Sequence, residues 1–375
     1  MDFTKIPKTV SFDGERLVEI KKDLPKYPEE AQILTERADK LLTVSPYSVV
    51  YKELVPVSKD PHDYMTMGTY WWPDPEKPDG LPYIRKDGYV NPQAKDRNTY
   101  QAMGEGAFRL AYAAYLFERE DYAEKAVELL SVWHLDEATR MNPHAEYSQA
   151  IPGICDGRGI GIIDFRSSYY VFDAAEILYA LGALSQDKYD ALKKWYVDFA
   201  NWLITSENGI FIDNYFNNHG TWYDVQLLSV AKFTNRPELA KRVANSAYGK
   251  RISTQIMADG AQPHELARTQ AMSYSAMNLV GLVRIAKYAT KLGRAEYTSP
   301  DAEKGTFLLA KAAEFLYPFA ADQTEFGYQQ IKPIDVSSDL AFVLRSLSAM
   351  TGDESYTKLA EKFNDPKYLI HVTPI

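Results

Sequence analysis

A single cysteine, Cys155, stands in 375 residues, so no disulfide can form within the chain and cysteine usage does not reveal a redox compartment. Long apolar runs are missing as well: no stretch of about eighteen apolar residues occurs, which excludes a helical membrane span. The opening "MDFTKIPKTVSFDGERL" lacks the basic and apolar regions of a signal peptide, as expected for a mature form given a new Met. Positive charge is in deficit, with 42 Lys and Arg against 51 Asp and Glu. A net charge of −9 excludes a nucleic-acid binder held by a general basic surface. Alternating, strand-like segments are scarce, and no short repeat recurs, which disfavours a TPR or ankyrin array.

Aromatics are plentiful. They make up 13% of the chain and include 27 Tyr and six Trp, enough to supply both a core and a groove. Flat rings with polar tips suit sugar faces, although most of these residues must be core. Arg85, Lys86, Arg97, Arg140, Arg158, Arg166 and Arg268 fall in or beside loop-like segments. They leave room for a local positive site on an acidic body.

Apolar residues recur at helical spacing over 29–43, 100–118, 121–135, 169–184, 188–205, 222–234, 238–252, 273–292, 302–320, 337–351 and 354–363. So many helices without intervening strands predict an all-α, helix-on-helix fold. Alternately short and long connections suit helix pairs wound into a ring, an α/α toroid; periodicity equally admits an open stack. Two connections are long and irregular, 56–99 and 139–168, and loops of that length usually carry function. No linker divides the chain, which predicts one domain over 1–375.

The densest polar segment is "DNYFNNHGTWYDVQ", 213–226, where a helix opens beside Asn217, Asn218 and His219. A helix N-terminus exposes unpaired N–H groups that favour anions, and asparagine adds neutral donors. The segment therefore reads as a receiver for an anionic group; the bland alternative for His219 is a capping or core histidine. A second cluster, "DGAQPHELARTQAMSYSAMNL" at 259–279, carries Glu265, Arg268 and Tyr274. Glu265 and Arg268 could be no more than a surface ion pair, which is worth little. An arginine close to a tyrosine stabilises phenolate, and that combination makes a general base.

"NNHGTW", followed some fifty residues later by "ELARTQAMSYSAMNL", resembles the alginate lyase family with an α/α-toroid fold. "YWWPDPEKPDGLPYIRKDG" and "MNPHAEYSQAIPGICDGRGIGIIDF" resemble the upstream loops of related uronate polysaccharide lyases. The resemblance runs from about residue 60 to 290. It implies an incomplete barrel of six to seven helical hairpins with long rim loops. It implies a catalytic set of Asn218, His219, Arg268 and Tyr274. The implied reaction removes H5, alpha to the uronate carboxylate, and expels the C4 oxygen. Asn218, His219 and Arg268 would neutralise the carboxylate, and Tyr274 or His219 would act as base. Such chemistry asks for no metal and no organic cofactor.

The implied substrate is an acidic β-1,4-linked polysaccharide, mannuronate-rich alginate first and glucuronan second. Nothing points to a protein or nucleic-acid partner, and the family implies a periplasmic or secreted location. Tyr70, Trp71, Trp72, Gln149, Arg158, Asn217 and Trp222 are candidates for sugar contacts. Tyr70 to Trp72 could equally anchor their loop, and Arg158 could anchor the Gly-rich turn. His264 reads as structural or peripheral. Two rival readings remain: a toroid glycoside hydrolase drawing carboxylates from Asp74, Asp156, Asp164 and Glu265, and a non-catalytic sugar-binding protein.

Overall fold

The computed structural model describes residues 1–94, 97–297, 307–322 and 324–363. The first residues of the helix expected over 302–320 lie outside them. The chain divides into two compact units, Met1–Ile212 with Lys232–Asn235, and Asp213–Ala231 with the described residues from Arg236 onward.

The first unit carries α1 (Glu15–Asp23), α2 (Pro28–Leu42), α3 (Arg97–Phe117), α4 (Glu120–His134), α5 (Ser168–Leu181), α6 (Gln186–Thr205) and most of α7 (Glu207–Asp213). Helices α2 to α6 fall where the apolar periodicity predicts them, whereas α1 and α7 lie outside every span it marks. Helix α3 buries Gly104, Ala107, Ala111 and Ala114, and such small side chains let α4 and α5 approach closely. Helix α5 is buried over most of its length, from Val171 and Phe172 to Leu178, as a core helix apolar on nearly all sides must be. It stops at Gly182, whose φ of 75° ends the helix in the left-handed region.

Buried rings fill the centre of this unit. Tyr100, Trp133, Phe165, Phe172, Tyr196 and Phe199 pack in edge-on and tilted pairs. Phe172 stacks on Phe233 at 4.7 Å, and each ring removed from water contributes roughly 1.5–3 kcal/mol. His134 sits among them, its Nε2 3.0 Å from the Tyr196 hydroxyl. Complete burial drives its pKa down to about 3, so it folds neutral. Its folded value lies below its unfolded value. Its share of stability is therefore full above pH 6.5 and is lost as pH falls toward 3. A His134→Gln variant is expected to lose about 1.4 kcal/mol per pH unit less than wild type between about pH 6 and pH 4. Urea melts across that range measure it, and identical slopes would remove the assignment.

The irregular 56–99 and 139–168 segments form short strand pairings and short 3-10 helices, the latter at Pro92–Ala94 and Gly159–Phe165. β1 (Met65–Met67) runs parallel to β4 (Tyr147–Ala150), and β2 (Trp71–Trp72) pairs antiparallel with β3 (Ile84–Arg85).

The second unit carries α8 (Asn218–Phe233, to Ala231), α9 (Pro237–Ala247), a π-helical turn (Tyr248–Ile252), α10 (Ser253–Gln255), α11 (Pro263–Leu266), α12 (Ala271–Lys291), α13 (Leu308–Ala321), α14 (Ser337–Thr351) and α15 (Ser355–Ala360). Helix α12 is its core, burying Leu279, Leu282, Val283, Ile285 and Ala286. At Gly281 a Cβ would come within 2.7 Å of Thr221 Cγ2, so glycine is what lets α8 lie against α12. No helix among the described residues is long and apolar enough to cross a membrane.

Candidate active site

Helix α8 opens at Asn218, and Asn217 caps it: its Oδ1 accepts the His219 N–H at 3.1 Å. The sequence predicts an anion at this helix end. The group found there is a carboxyl of the protein itself. Glu265 of α11 accepts the Asn218 backbone N–H through Oε1 and the Asn218 Nδ2 through Oε2, both at 2.8 Å. Asn218 is 0% exposed and Glu265 1% exposed, so Glu265 is no surface partner of Arg268. Burial raises the Glu265 pKa to about 7, against the opposing pull of the two Asn218 hydrogen bonds and the Arg268 charge. The Asn218 Oδ1 is buried without a partner.

Three residues after Glu265, the Arg268 N–H donates to the Glu265 carbonyl at 3.0 Å, which turns the chain back at the end of α11. The Arg268 guanidinium carbon lies 3.9 Å from the centroid of the Tyr274 ring, a cation–π stack. Tyr274 sits in the first turn of α12, its N–H donated to the Gln270 carbonyl at 3.1 Å. Segment 329–331 braces that end of α12, with Ala271 N–H on the Gln329 carbonyl and Ile331 N–H on the Thr269 carbonyl, each at 3.0 Å. His219, Arg268 and Tyr274 are half-buried, and Tyr215 meets the His219 ring edge-on at 5.8 Å.

Two buried devices hold these parts. Arg251 (1% exposed) pairs with Asp224 through Nε at 2.8 Å and Nη2 at 3.2 Å. Its remaining donors take the carbonyls of Tyr215 at 2.8 Å and Asp213 at 2.7 Å. The guanidinium thus fixes the backbone that leads into Asn217. A Cβ at Gly220 would collide with the Tyr215 carbonyl and that guanidinium, which is why glycine follows His219. The second device is an amide network. Gln255 Oε1 accepts from Thr221 Oγ1 and from Asn278 Nδ2, each at 3.0 Å, and Asn278 also donates to Gln262 Oε1 at 2.8 Å. It ties α8 to the helix that carries Tyr274.

In the first unit, Gln149 takes a φ of +50°, a region costly for glutamine. Its side chain is committed to protein: Nε2 donates to Asp164 at 3.0 Å, and Oε1 accepts Arg158 Nη2 at 3.2 Å. Arg158 Nε also donates to the Gln149 carbonyl, and its guanidinium carbon stands 5.7 Å from the Trp71 ring centroid. Burial pushes the Asp164 carboxyl above the usual carboxylate range. Tyr70, Trp71 and Trp72 are half-buried, with Trp72 Nε1 on the Tyr89 carbonyl at 2.9 Å.

Of the predicted set Asn218, His219, Arg268 and Tyr274, Asn218 bonds Glu265, Arg268 stacks on Tyr274 and acts on the Glu265 charge, and His219 follows Asn218 at the start of α8. The bond from Glu265 to Asn218 is what sequence reasoning missed. Trp222, expected at a sugar, is 4% exposed and packs against Gly281. Asn217 is buried as a cap. His264, expected to be structural or peripheral, packs its ring 4.8 Å from Phe216. Among the described residues no group of three or more His, Cys, Asp or Glu is arranged to hold a metal ion.

A family model described as alginate lyase matches residues 49–326. An alginate lyase structure from Bacteroides ovatus is 37% identical over 98% of this chain and 99% of its own, with a TM-score of 0.92. Alginate lyase A1-III from Sphingomonas species A1 is 16% identical over 89% of this chain and 91% of its own, with a TM-score of 0.50, a likeness of fold alone. No curated protein sequence matches. The expected all-α, α/α-toroid class is the fold class of these structures. By the span of the family match and by the Bacteroides ovatus likeness over nearly the whole of both chains, this chain belongs to the alginate lyase family of polysaccharide lyases.

Proposed function

We propose that residues 1–375 act as one catalytic domain that cleaves mannuronate-rich alginate by β-elimination, leaving an unsaturated uronate at the new non-reducing end. The observation that carries this reading is the Arg268–Tyr274 stack, one turn of chain away from the Glu265–Asn218 pair. A uronate H5 is barely acidic while the neighbouring carboxylate keeps its charge. Arg268 and His219 draw off that charge and stabilise the dianionic intermediate as it forms, with the buried Asn218 amide behind them. Tyr274 then removes H5 and returns a proton to O4 as the C4–O4 bond breaks. Atoms balance: one C–H and one C–O bond are exchanged for a C4=C5 double bond and a new hydroxyl.

Mannuronate and glucuronate share the C4–C5 arrangement in which proton and leaving group lie on one face, so a single phenol serves both steps. Guluronate, inverted at C5, needs opposite faces and a separate base, for which His219 is the natural group. The half-buried Tyr70, Trp71, Trp72 and Arg158 are proposed to meet sugar rings and carboxylates, with Gln149 holding Arg158 in place. Asn217 and Trp222 are proposed to support the site from beneath. A polymeric substrate fits a periplasmic or secreted location.

The test is an ultraviolet assay across polymannuronate, polyguluronate and glucuronan. Polymannuronate is expected to give the fastest rise in absorbance from the new double bond. Faster cleavage of glucuronan would transfer the substrate assignment, and reducing ends released without absorbance would point to a hydrolase.

A further inference from the structure

We propose that Glu265 is a positioning residue which, through Asn218, fixes the start of α8 and the orientation of the Asn218 amide for the elimination; this rests on the reading just given. The geometry is specific. One carboxylate accepts both N–H donors of one residue, backbone and side chain, at 2.8 Å each, and both partners are buried. Only an acceptor with two open oxygens can hold Asn218 this way, so the amide has one orientation and its Oδ1 faces away from Glu265. The same residue begins the short chain leading to Arg268, whose N–H it receives. Glu265 therefore joins the two halves of the catalytic set, His219 beside Asn218 on one side and Arg268 with Tyr274 on the other.

The arrangement carries a cost. A carboxylate this deeply buried resists ionisation, and its pKa is raised to about 7. Its folded value lies above its unfolded one, so its stabilising contribution is present at low pH and lost as pH rises through 7. The ionised form, the one that can accept twice, is thus the less stable one. The titratable or charged groups closest in sequence to the contacts it makes are His264 and Arg268 beside Glu265 and Tyr215 and His219 beside Asn218, with Tyr274 in the first turn of α12. Arg268 pulls the Glu265 pKa down.

The experiment compares wild type, Glu265→Gln and Glu265→Asp on polymannuronate from about pH 5.5 to pH 9, with thermal melts at pH 8. Glutamine keeps the size but sets an N–H against Asn218 Nδ2, so the Asn218 amide must turn over. E265Q is expected to lower kcat at least about tenfold with KM changed by less than about threefold. Its Tm at pH 8 is expected to equal or exceed that of wild type. The rise of wild-type kcat/KM through about pH 7 should vanish in E265Q and persist, at lower amplitude, in E265D, which keeps an ionisable acceptor. An E265Q enzyme with wild-type kcat overturns the proposal. So does one that keeps the pH rise, which assigns that rise to a group other than Glu265. An E265Q protein that melts lower in step with its loss of activity also overturns it, because that is a plain structural role. A wild type that releases no unsaturated product from any polyuronate overturns the functional reading itself. A wild type that does, with E265Q behaving as it does, overturns only this inference.

Discussion

Replacing Tyr274 by Phe is expected to lower kcat by roughly 10²–10⁴-fold while KM stays within about threefold. The asymmetry comes from the stack. Arg268 lies over the face of the ring, 3.9 Å from its centroid, and phenylalanine offers the same face. The guanidinium therefore keeps its place and its hold on the uronate charge, and what disappears is the proton carrier. Each tenfold loss corresponds to about 1.4 kcal/mol of barrier. His219→Ala should also abolish turnover on polymannuronate, by removing a charge-stabilising donor and opening space beside Tyr215. Arg268→Ala should differ from both, weakening KM and kcat together, because it meets charge present before and during the reaction. Steady-state kinetics with the double-bond chromophore separate the three patterns. A Tyr274→Phe enzyme at full speed ends the assignment of the base.

The second large effect is on folding. Arg251→Met is expected to destabilise the second unit by about 3–5 kcal/mol. The substitution strands a buried Asp224 carboxylate and leaves the carbonyls of Asp213 and Tyr215 without their donors. Burial already raises the Asp224 pKa, with Arg251 the main opposing influence. Neutralising the carboxylate as well, in Arg251→Met with Asp224→Asn, should recover part of the loss, since the stranded charge is the larger part of the penalty. Denaturant midpoints of the single and double variants measure this. If the double variant is no more stable than the single, the ion pair is not what Arg251 supports. Activity should drop with the single variant beyond the folded fraction, because the clamped carbonyls lead directly into Asn217.

How much of this could be read beforehand depended on distance along the chain. The helices were legible because each carries its own apolar stripe, and Arg268 and Tyr274 were legible as a pair because they lie six residues apart. The Asn217 cap is likewise local. Glu265 and Asn218 are 47 positions apart, and Arg251 and Asp224 are 27 apart. No periodicity links such partners, so the carboxylate that fills the α8 terminus was legible only as a surface charge or as one of several candidate hydrolase carboxylates. Trp222 was misplaced for a related reason. An indole beside a polar motif looks like a sugar platform, yet the deciding residue is Gly281, which lets that indole sink against α12. The positive φ at Gln149 has no signature at all, because glutamine is an unusual choice there and three polar partners impose it.

The fit around Gly220 bears on any effort to redirect this enzyme toward another polymer. Directed variation of the segment before α8 has one closed position and one open one. At 220 every larger residue meets a carbonyl and a guanidinium that cannot retreat, so libraries spanning it will be mostly dead weight. Four residues earlier, the Phe216 ring is 56% exposed and rests against Tyr215 and His264, which makes it the place where new chemistry can be grafted without disturbing the scaffold.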